Sequence, residues 1–460
     1  MLRRLLVHHQ LSLSLNLMLV GTLFYVLIPS LRSWLRAFAQ LSYADAVGGF
    51  SPGPRDLYLV CSFIVIFTAV RAFCLDYVLI PLAVRCYVRT RKARLRFAEQ
   101  GYMMVYYLLY WSWGLHLFIQ NTPPEVHDIN SLLISIWTGY PRLYMSQGVK
   151  LYYLSQFAFW IQQFAVLHIE SRRKDHMQML LHHVITAALI AGSHSYRQWR
   201  AGNAILVCMD IVDFIFPLAK CLKYMELQNA CDVAFGFFVL AWVSSRHIAY
   251  NAICYSVYSQ VSNVVMPYGT YSTRTGAQLS TEGGHEITAN LLQPFLYPES
   301  ETVSFNASIR FFFLALLLAL QGITIAWFIM ICRVVVRVLH GKGAEEPRSD
   351  GEDEEEELEI DGKDGSVNVD KIERDEVEAA QPLDHAFGPA LSRQDKRRFI
   401  EVESSSEEIV TSSSRISGTR KKPKGISSSL NLGEHKTILN RIGCLSEEQL
   451  AREREKREEK

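Results

Sequence analysis

Apolar residues in the first three quarters of the chain fall in long, nearly unbroken runs, not in the short stripe of a helix lying on a soluble core. Eight stretches, roughly 11–29, 57–84, 102–119, 151–168, 177–193, 201–219, 231–258 and 309–332, are long enough to cross a bilayer, which takes about 20 helical residues. The pattern predicts an all-α polytopic membrane protein with about eight transmembrane helices. A ninth run, 129–137, is too short to span and stops before Pro141, so it reads as an interfacial or re-entrant piece. Arg3 and Arg4 precede the first run, and no small-residue cleavage site follows it before Pro29. That run is expected to stay as an anchor.

The polar positions between the runs set the orientation. Loops 85–101, 169–176 and 220–230 hold eleven Lys and Arg in 36 positions, among them Arg85, Arg89, Arg91, Lys92, Arg94, Arg96, Arg172, Arg173 and Lys174. The alternate loops hold eight in 115. Basic loops stay in the cytosol, so with eight spans both termini face the cytosol.

From residue 341 the pattern stops. The remainder has no Trp or Tyr and alternates acidic and basic blocks, such as Asp353 to Glu357 and Lys421, Lys422 and Lys424. This composition predicts a disordered cytosolic tail. Ser404, Ser405 and Ser406 precede Glu407 and Glu408, a setting suited to an acid-directed kinase. The expected organisation is an anchor helix with its luminal loop over 1–56, a catalytic membrane domain over 57–340, and the tail over 341–460. Composition adds two exclusions. The apolar runs argue against a soluble enzyme, and most of the nine Cys lie inside them, which argues against a disulfide scaffold. Asn306-Ala307-Ser308 is a glycosylation sequon, but it lies so close to the last span that it is expected to stay unmodified.

Ionisable residues inside spans are costly and point to function. The fifth run contains His182 and His183, and the sixth contains Asp210 and Asp213. A central Asp costs roughly 2.5–3.5 kcal/mol on insertion scales. The three-residue spacing sets both carboxylates on one helix face. Runs five and six are joined by a short connection and should be antiparallel neighbours. The His pair and the Asp pair then meet at similar depth, in the cytosolic half of the membrane. A carboxylate beside an imidazole would orient it, and such a His can take a proton or attack an acyl group. Arg246 and His247 in run seven are candidates to touch this cluster or to line a path for an anionic group. Arg172, Arg173 and Lys174 would attract the same anion. The fourteen His show neither the HxxxH nor the HxxHH spacing of multi-His membrane metal boxes, while a zinc site of three or four ligands stays open.

The stretch 170–225, ESRRKDHMQMLLHHVITAALIAGSHSYRQWRAGNAILVCMDIVDFIFPLAKCLKYM, resembles the longevity-assurance motif of ceramide synthases in the TLC-domain superfamily. Residues 96–101 (RFAEQG) and 231–236 (CDVAFG) resemble the fungal branch, and the likeness covers roughly 57–335. His182, His183, Asp210, Asp213, Arg200 and Gly202 match the motif. Met209 stands where many animal members have His, and His194 follows Ser193 where a Tyr is common.

The resemblance implies a sphingoid-base N-acyltransferase of the endoplasmic reticulum. Acyl-CoA would be the co-substrate, with no prosthetic group and no metal, and sphinganine or phytosphingosine the acceptor. It further implies a homo- or heterodimer with a paralogue and a small single-span accessory subunit, and no nucleic acid. Two rival readings are a non-catalytic TLC-type lipid-binding or escort protein and a zinc-dependent ceramidase.

Overall fold

The computed structural model describes residues 9–45, 48–169, 175–261, 265–284, 286–297 and 300–340. The tail from 341, with Ser404 to Ser406, and the basic triplet Arg172, Arg173 and Lys174 lie outside the described residues.

Each predicted run is occupied by a long helix. These are α1 (Gln10–Leu27), α2 (Asp56–Arg85), α3 (Arg91–Gln120), α5 (Gln147–Ile169), α6 (His176–Ser195), α7 (Trp199–Tyr224), α8 (Gln228–Ser259) and α10 (Ala307–Leu339). The short α4 spans Ile129–Trp137, and α9 spans Ile287–Leu296. Among the described residues, α1, α2, α8 and α10 are both long and apolar enough to cross a membrane. In α1 only Ser14 is buried, while Leu13, Leu15, Leu17 and Leu19 are exposed. It packs on α2 and leaves most of its apolar surface exposed, and a helix apolar on every side needs lipid as its solvent.

Two findings depart from the sequence pattern. Helix α3 begins at Arg91, eleven residues before the apolar run. Thr90 caps it, accepting the Ala93 amide at 3.1 Å, and helical hydrogen bonding carries through the charged residues because it does not depend on side-chain polarity. The fold is also mostly α and not all-α. Strands β1 (Gly269–Ser272), β2 (Gln278–Ser280) and β3 (Thr302–Phe305) form an antiparallel sheet in the order β2-β1-β3. Thr270 pairs with Ser280 on one side and Ser304 on the other. These strands are short and lie in a loop outside the apolar runs, so run length carried no signal for them.

Helix α7 lies at the centre, packed mainly on α3 and α8, with α4 and α6 alongside. Gly202 permits a close approach here. A Cβ at this position would lie 1.8 Å from the Tyr153 hydroxyl, which donates to the Trp199 carbonyl at 2.9 Å. The connections separate into two ends. Loops 86–90 and 225–227 meet through Arg89 and Glu226 at 3.2 Å. At the opposite end Phe50 bridges Met145, Arg197 donates to the Leu143 carbonyl, and the Tyr196 hydroxyl donates to the Asn290 and Leu291 carbonyls. Asn306 caps α10 by accepting the Ile309 amide at 2.9 Å, and its side-chain nitrogen donates to the Gly283 carbonyl.

Candidate active site

The two imidazoles stand at the first turns of α6, where Trp160 of α5 packs edge-on to both. Its ring lies 5.4 Å from His182 and 5.2 Å from His183. Trp327 of α10 lies 5.3 Å from His182 on another side. Both His side chains are buried. The Nδ1 of His183 is 2.7 Å from the Met179 carbonyl. A carbonyl only accepts, so Nδ1 carries the proton and Nε2 the lone pair. His182 Nδ1 is buried with no hydrogen-bond partner among the described residues.

The acids come from α7. Asp210, 1% exposed, accepts from Gln156 Nε2 at 3.0 Å, and the Tyr106 hydroxyl donates to the Oε1 of the same Gln156 at 3.1 Å. Asp210 Oδ1 has no partner among the described residues. Asp213 is bound by Arg246, whose Nη2 lies 2.9 and 2.8 Å from its two oxygens and also donates to the Met209 carbonyl at 2.9 Å. Arg246 reaches this position because α8 widens into a π-type turn over Val243–Ala249, which changes the phase of the helix. Its guanidinium stacks 4.4 Å over Trp242.

The expected direct pairing of carboxylate and imidazole is therefore not what orients these groups. A backbone carbonyl orients His183, Gln156 holds Asp210, and Arg246 holds Asp213. What the four residues share is a junction of two cavities. An apolar cavity of about 100 Å³ runs along α6 and α7, past Thr186, Leu189 and Ile205, to Met266 and Phe305 at the far end. A more polar one of about 180 Å³ is lined by His183, Arg246, Arg71, Glu99, Gln100 and Lys220. His182, Asp213 and Trp160 line both; Asp210 lines the apolar one.

His247 is not brought to the junction. It faces α10, with Nδ1 3.0 Å from Gln321 Nε2 and its ring 4.7 Å from Phe328. Sequence reasoning missed Gln156, Trp160 and Trp327. It also missed Arg71 and Lys220. The charge of Arg71 inside a predicted span was a usable signal, as was the amide of Gln156 inside another. Among the described residues no three His, Cys, Asp or Glu side chains converge to hold a metal ion.

This geometry can hold a long apolar chain in one cavity and a polar, anionic group in the other, with an imidazole where they meet. Residues 96–333 match the TLC domain. The chain belongs to the TLC-domain family. A sphingosine N-acyltransferase-like protein of Alternaria alternata, ALT7, is 42% identical over 71% of this chain and 74% of its own. The sphingosine N-acyltransferase lag1 of Schizosaccharomyces pombe is 36% identical over 75% and 79%. The ceramide synthase FUM18 of Gibberella moniliformis is 34% identical over 73% and 77%. Within the TLC-domain family the chain thus falls in the fungal, longevity-assurance branch, as the 170–225 stretch implied.

Proposed function

We propose that the protein is a ceramide synthase, transferring a fatty acyl group from acyl-CoA to the amine of a sphingoid base. The single observation that carries the mechanism is the junction of an apolar and a polar cavity at His182 and Asp213. The acyl chain lies in the apolar cavity. The nucleotide end of CoA extends through the polar cavity, where Arg71 and Lys220 favour an anion. The thioester carbonyl then sits beside His182.

The chemistry follows from the proton inventory. A sphingoid amine is an ammonium near neutrality and must lose a proton to attack. Nε2 of His183 is the free base of the pair and takes it. That first proton passes on to water; as the amine nitrogen then forms the C–N bond it gives up a second proton to the same Nε2, the C–S bond breaks, and the imidazolium hands this proton to the CoA sulfur, leaving a neutral amide and a thiol. A covalent variant, in which one His first carries the acyl group, uses the same two residues. Asp213 and Arg246 form a fixed dipole beside the reacting carbonyl, and Asp210 supports the α7 side of the site. The thioester supplies the driving force, so the reaction calls for acyl-CoA as co-substrate and no prosthetic group. The names of the relatives disfavour the escort and ceramidase readings.

The remaining parts of the proposal rest on sequence. All eight long helices cross the membrane of the endoplasmic reticulum, with both termini cytosolic. Residues 1–56 anchor the chain, 57–340 form the catalytic domain, and 341–460 form a disordered, phosphorylatable tail. Arg172, Arg173 and Lys174 add to the attraction of CoA. The protein dimerises with itself or a paralogue and binds a single-span accessory subunit. The test is an acyltransferase assay on membranes, with sphinganine and phytosphingosine against a series of acyl-CoA lengths. N-acylation dependent on acyl-CoA is expected. Release of fatty acid from added ceramide, with no acyl transfer, would overturn the reading.

A further inference from the structure

Helix α6 carries a further histidine near its C-terminal end, His194, about 18 Å from His182 at 1.5 Å per residue. It stands at the end of the bundle away from the junction. Its Nε2 lies 3.3 Å from Asp56 Oδ2, so it donates to that carboxylate, and Nδ1 is left with the lone pair. That Nδ1 is buried and has no partner among the described residues. Asp56 is also held by an ion pair with Lys150, whose Nζ is 2.7 Å from Oδ1, and by the Gly53 amide, which donates to Oδ2 at 3.0 Å. Lys150 also donates to the Ser42 and Ser51 carbonyls at 2.8 and 2.7 Å, which uses its three protons. Within the cluster Asp56 Oδ1 is met by the ion pair with Lys150, and the acceptor nitrogen of His194 is met by no group among the described residues.

This cluster borders a third cavity, of about 280 Å³. One part is apolar, lined by Val60, Leu154, Phe157 and Ile190; the other is polar, lined by His194 and Arg197. Ile190 also lines the apolar cavity of the junction, so a single turn of α6 separates the two. Lys150 and Asp56 cancel in charge, which leaves Arg197 as the net cation; its Nη1 donates to the neutral Leu143 carbonyl, and no carboxylate pairs with it among the described residues. An unpaired buried acceptor calls for a hydroxyl or amide donor. The nearby guanidinium disfavours an ammonium, and the apolar wall calls for a hydrocarbon chain.

We propose that this cavity is a second lipid site that binds the uncharged, hydroxyl-bearing product ceramide, with a hydroxyl donated to His194 Nδ1 and a chain along Val60, Leu154 and Phe157. Naming the lipid as the product rests on the N-acyltransferase reading; the preference for a neutral hydroxylated amphiphile does not. The occupant differs from the charged acceptor substrate by one acyl group, which removes the ammonium that Arg197 repels.

The test uses the purified full chain in phosphatidylcholine nanodiscs, without acyl-CoA, and a ceramide bearing a photoactivatable diazirine in its acyl chain. Labelled peptides are mapped by mass spectrometry. Labelling is expected on the segments that contain Leu154 and Phe157 or Ile190 and Ala191. Unlabelled dihydroceramide should compete at least tenfold better than sphinganine. His194→Phe keeps a ring and removes the acceptor, and should cut labelling at least fivefold. Ala191→Phe, which fills the cavity from the helix, should do the same if His194→Phe fails to fold as judged by monodispersity. Labelling that is absent from these segments, insensitive to both folded variants, or displaced equally by sphinganine overturns the site. Acyl transfer is measured on the same preparation. Labelling without transfer overturns the catalytic reading alone, and transfer without labelling overturns this one alone.

Discussion

The two ends of α6 both bring histidine and aspartate together, and they do so in opposite ways. At the junction, His182 and His183 lie within 31 residues of Asp210 and Asp213 along the chain, yet no hydrogen bond joins the imidazoles to the acids among the described residues. At the other end Asp56 and His194 are 138 positions apart and bond directly. The junction leaves polar atoms open on a cavity wall, at His182 Nδ1 and Asp210 Oδ1. The far cluster is built on a buried ion pair, with Lys150 fully buried, Asp56 4% exposed, and Lys150 donating to the Ser42 and Ser51 carbonyls. A group that must meet a substrate is left unsatisfied by the protein. A group that ties the segment 42–56 to the bundle is satisfied by it.

That contrast can be broken by experiment. At the junction, the His182→Ala, His183→Ala double variant should lower turnover by roughly 10²–10⁴-fold with the fold intact, the range of general acid–base catalysis. The readout is acylation of sphinganine at saturating acyl-CoA, with detergent monodispersity measured beside it. A monodisperse variant with near wild-type turnover would remove the active site from this place.

The far cluster should respond in stability instead. Lys150→Met leaves the buried Asp56 carboxylate without its cation, a loss of about 3–5 kcal/mol for a broken buried pair. Thermal unfolding in nanodiscs should show it, and Lys150→Met with Asp56→Leu should recover much of it, because no charge is then left unpaired. A single variant as stable as the wild type would mean that the segment 42–56 is held by other contacts.

Gln156→Leu sharpens the junction itself. It keeps the volume but removes the donor to Asp210, a loss of about 1–3 kcal/mol for an orphaned buried acceptor. Turnover should fall roughly tenfold, with a smaller change in apparent affinity for acyl-CoA. An unaltered rate would show that Asp210 supports the helix and not the reaction.

The smallest expected effect is at Asp128, which caps α4 by accepting the Ser131 amide at 3.1 Å. The Ser131 hydroxyl and then its amide hold the Asp128 carboxyl below the usual carboxylate range. A lowered folded value means that the contribution is full above the unfolded value and is lost as pH falls through the folded one. Asp128→Ala should therefore lower the melting temperature slightly at pH 7, and the difference should shrink as pH falls through the lowered folded value. A difference that persists in acid would point to packing and not to charge.

The sequence alone determined where the eight long helices form, and which of them carry the histidines and the acids. It did so because run length is a local property, and a chain with such runs in lipid has to close its backbone hydrogen bonds within each segment. The motif in 170–225 likewise identified the family before any geometry was known. Tertiary structure decided the partners. Arg246 meets Asp213 through a π-type turn, and no apolar run encodes a change of helical phase. Gln156 meets Asp210 because α5 packs with that face inward. His247 adjoins Arg246 in the chain and turns away from the site for the same rotational reason. The sheet at 269–305 and the pairing of Asp56 with His194 join distant segments, and their hydrogen bonds depend on where those segments meet in space.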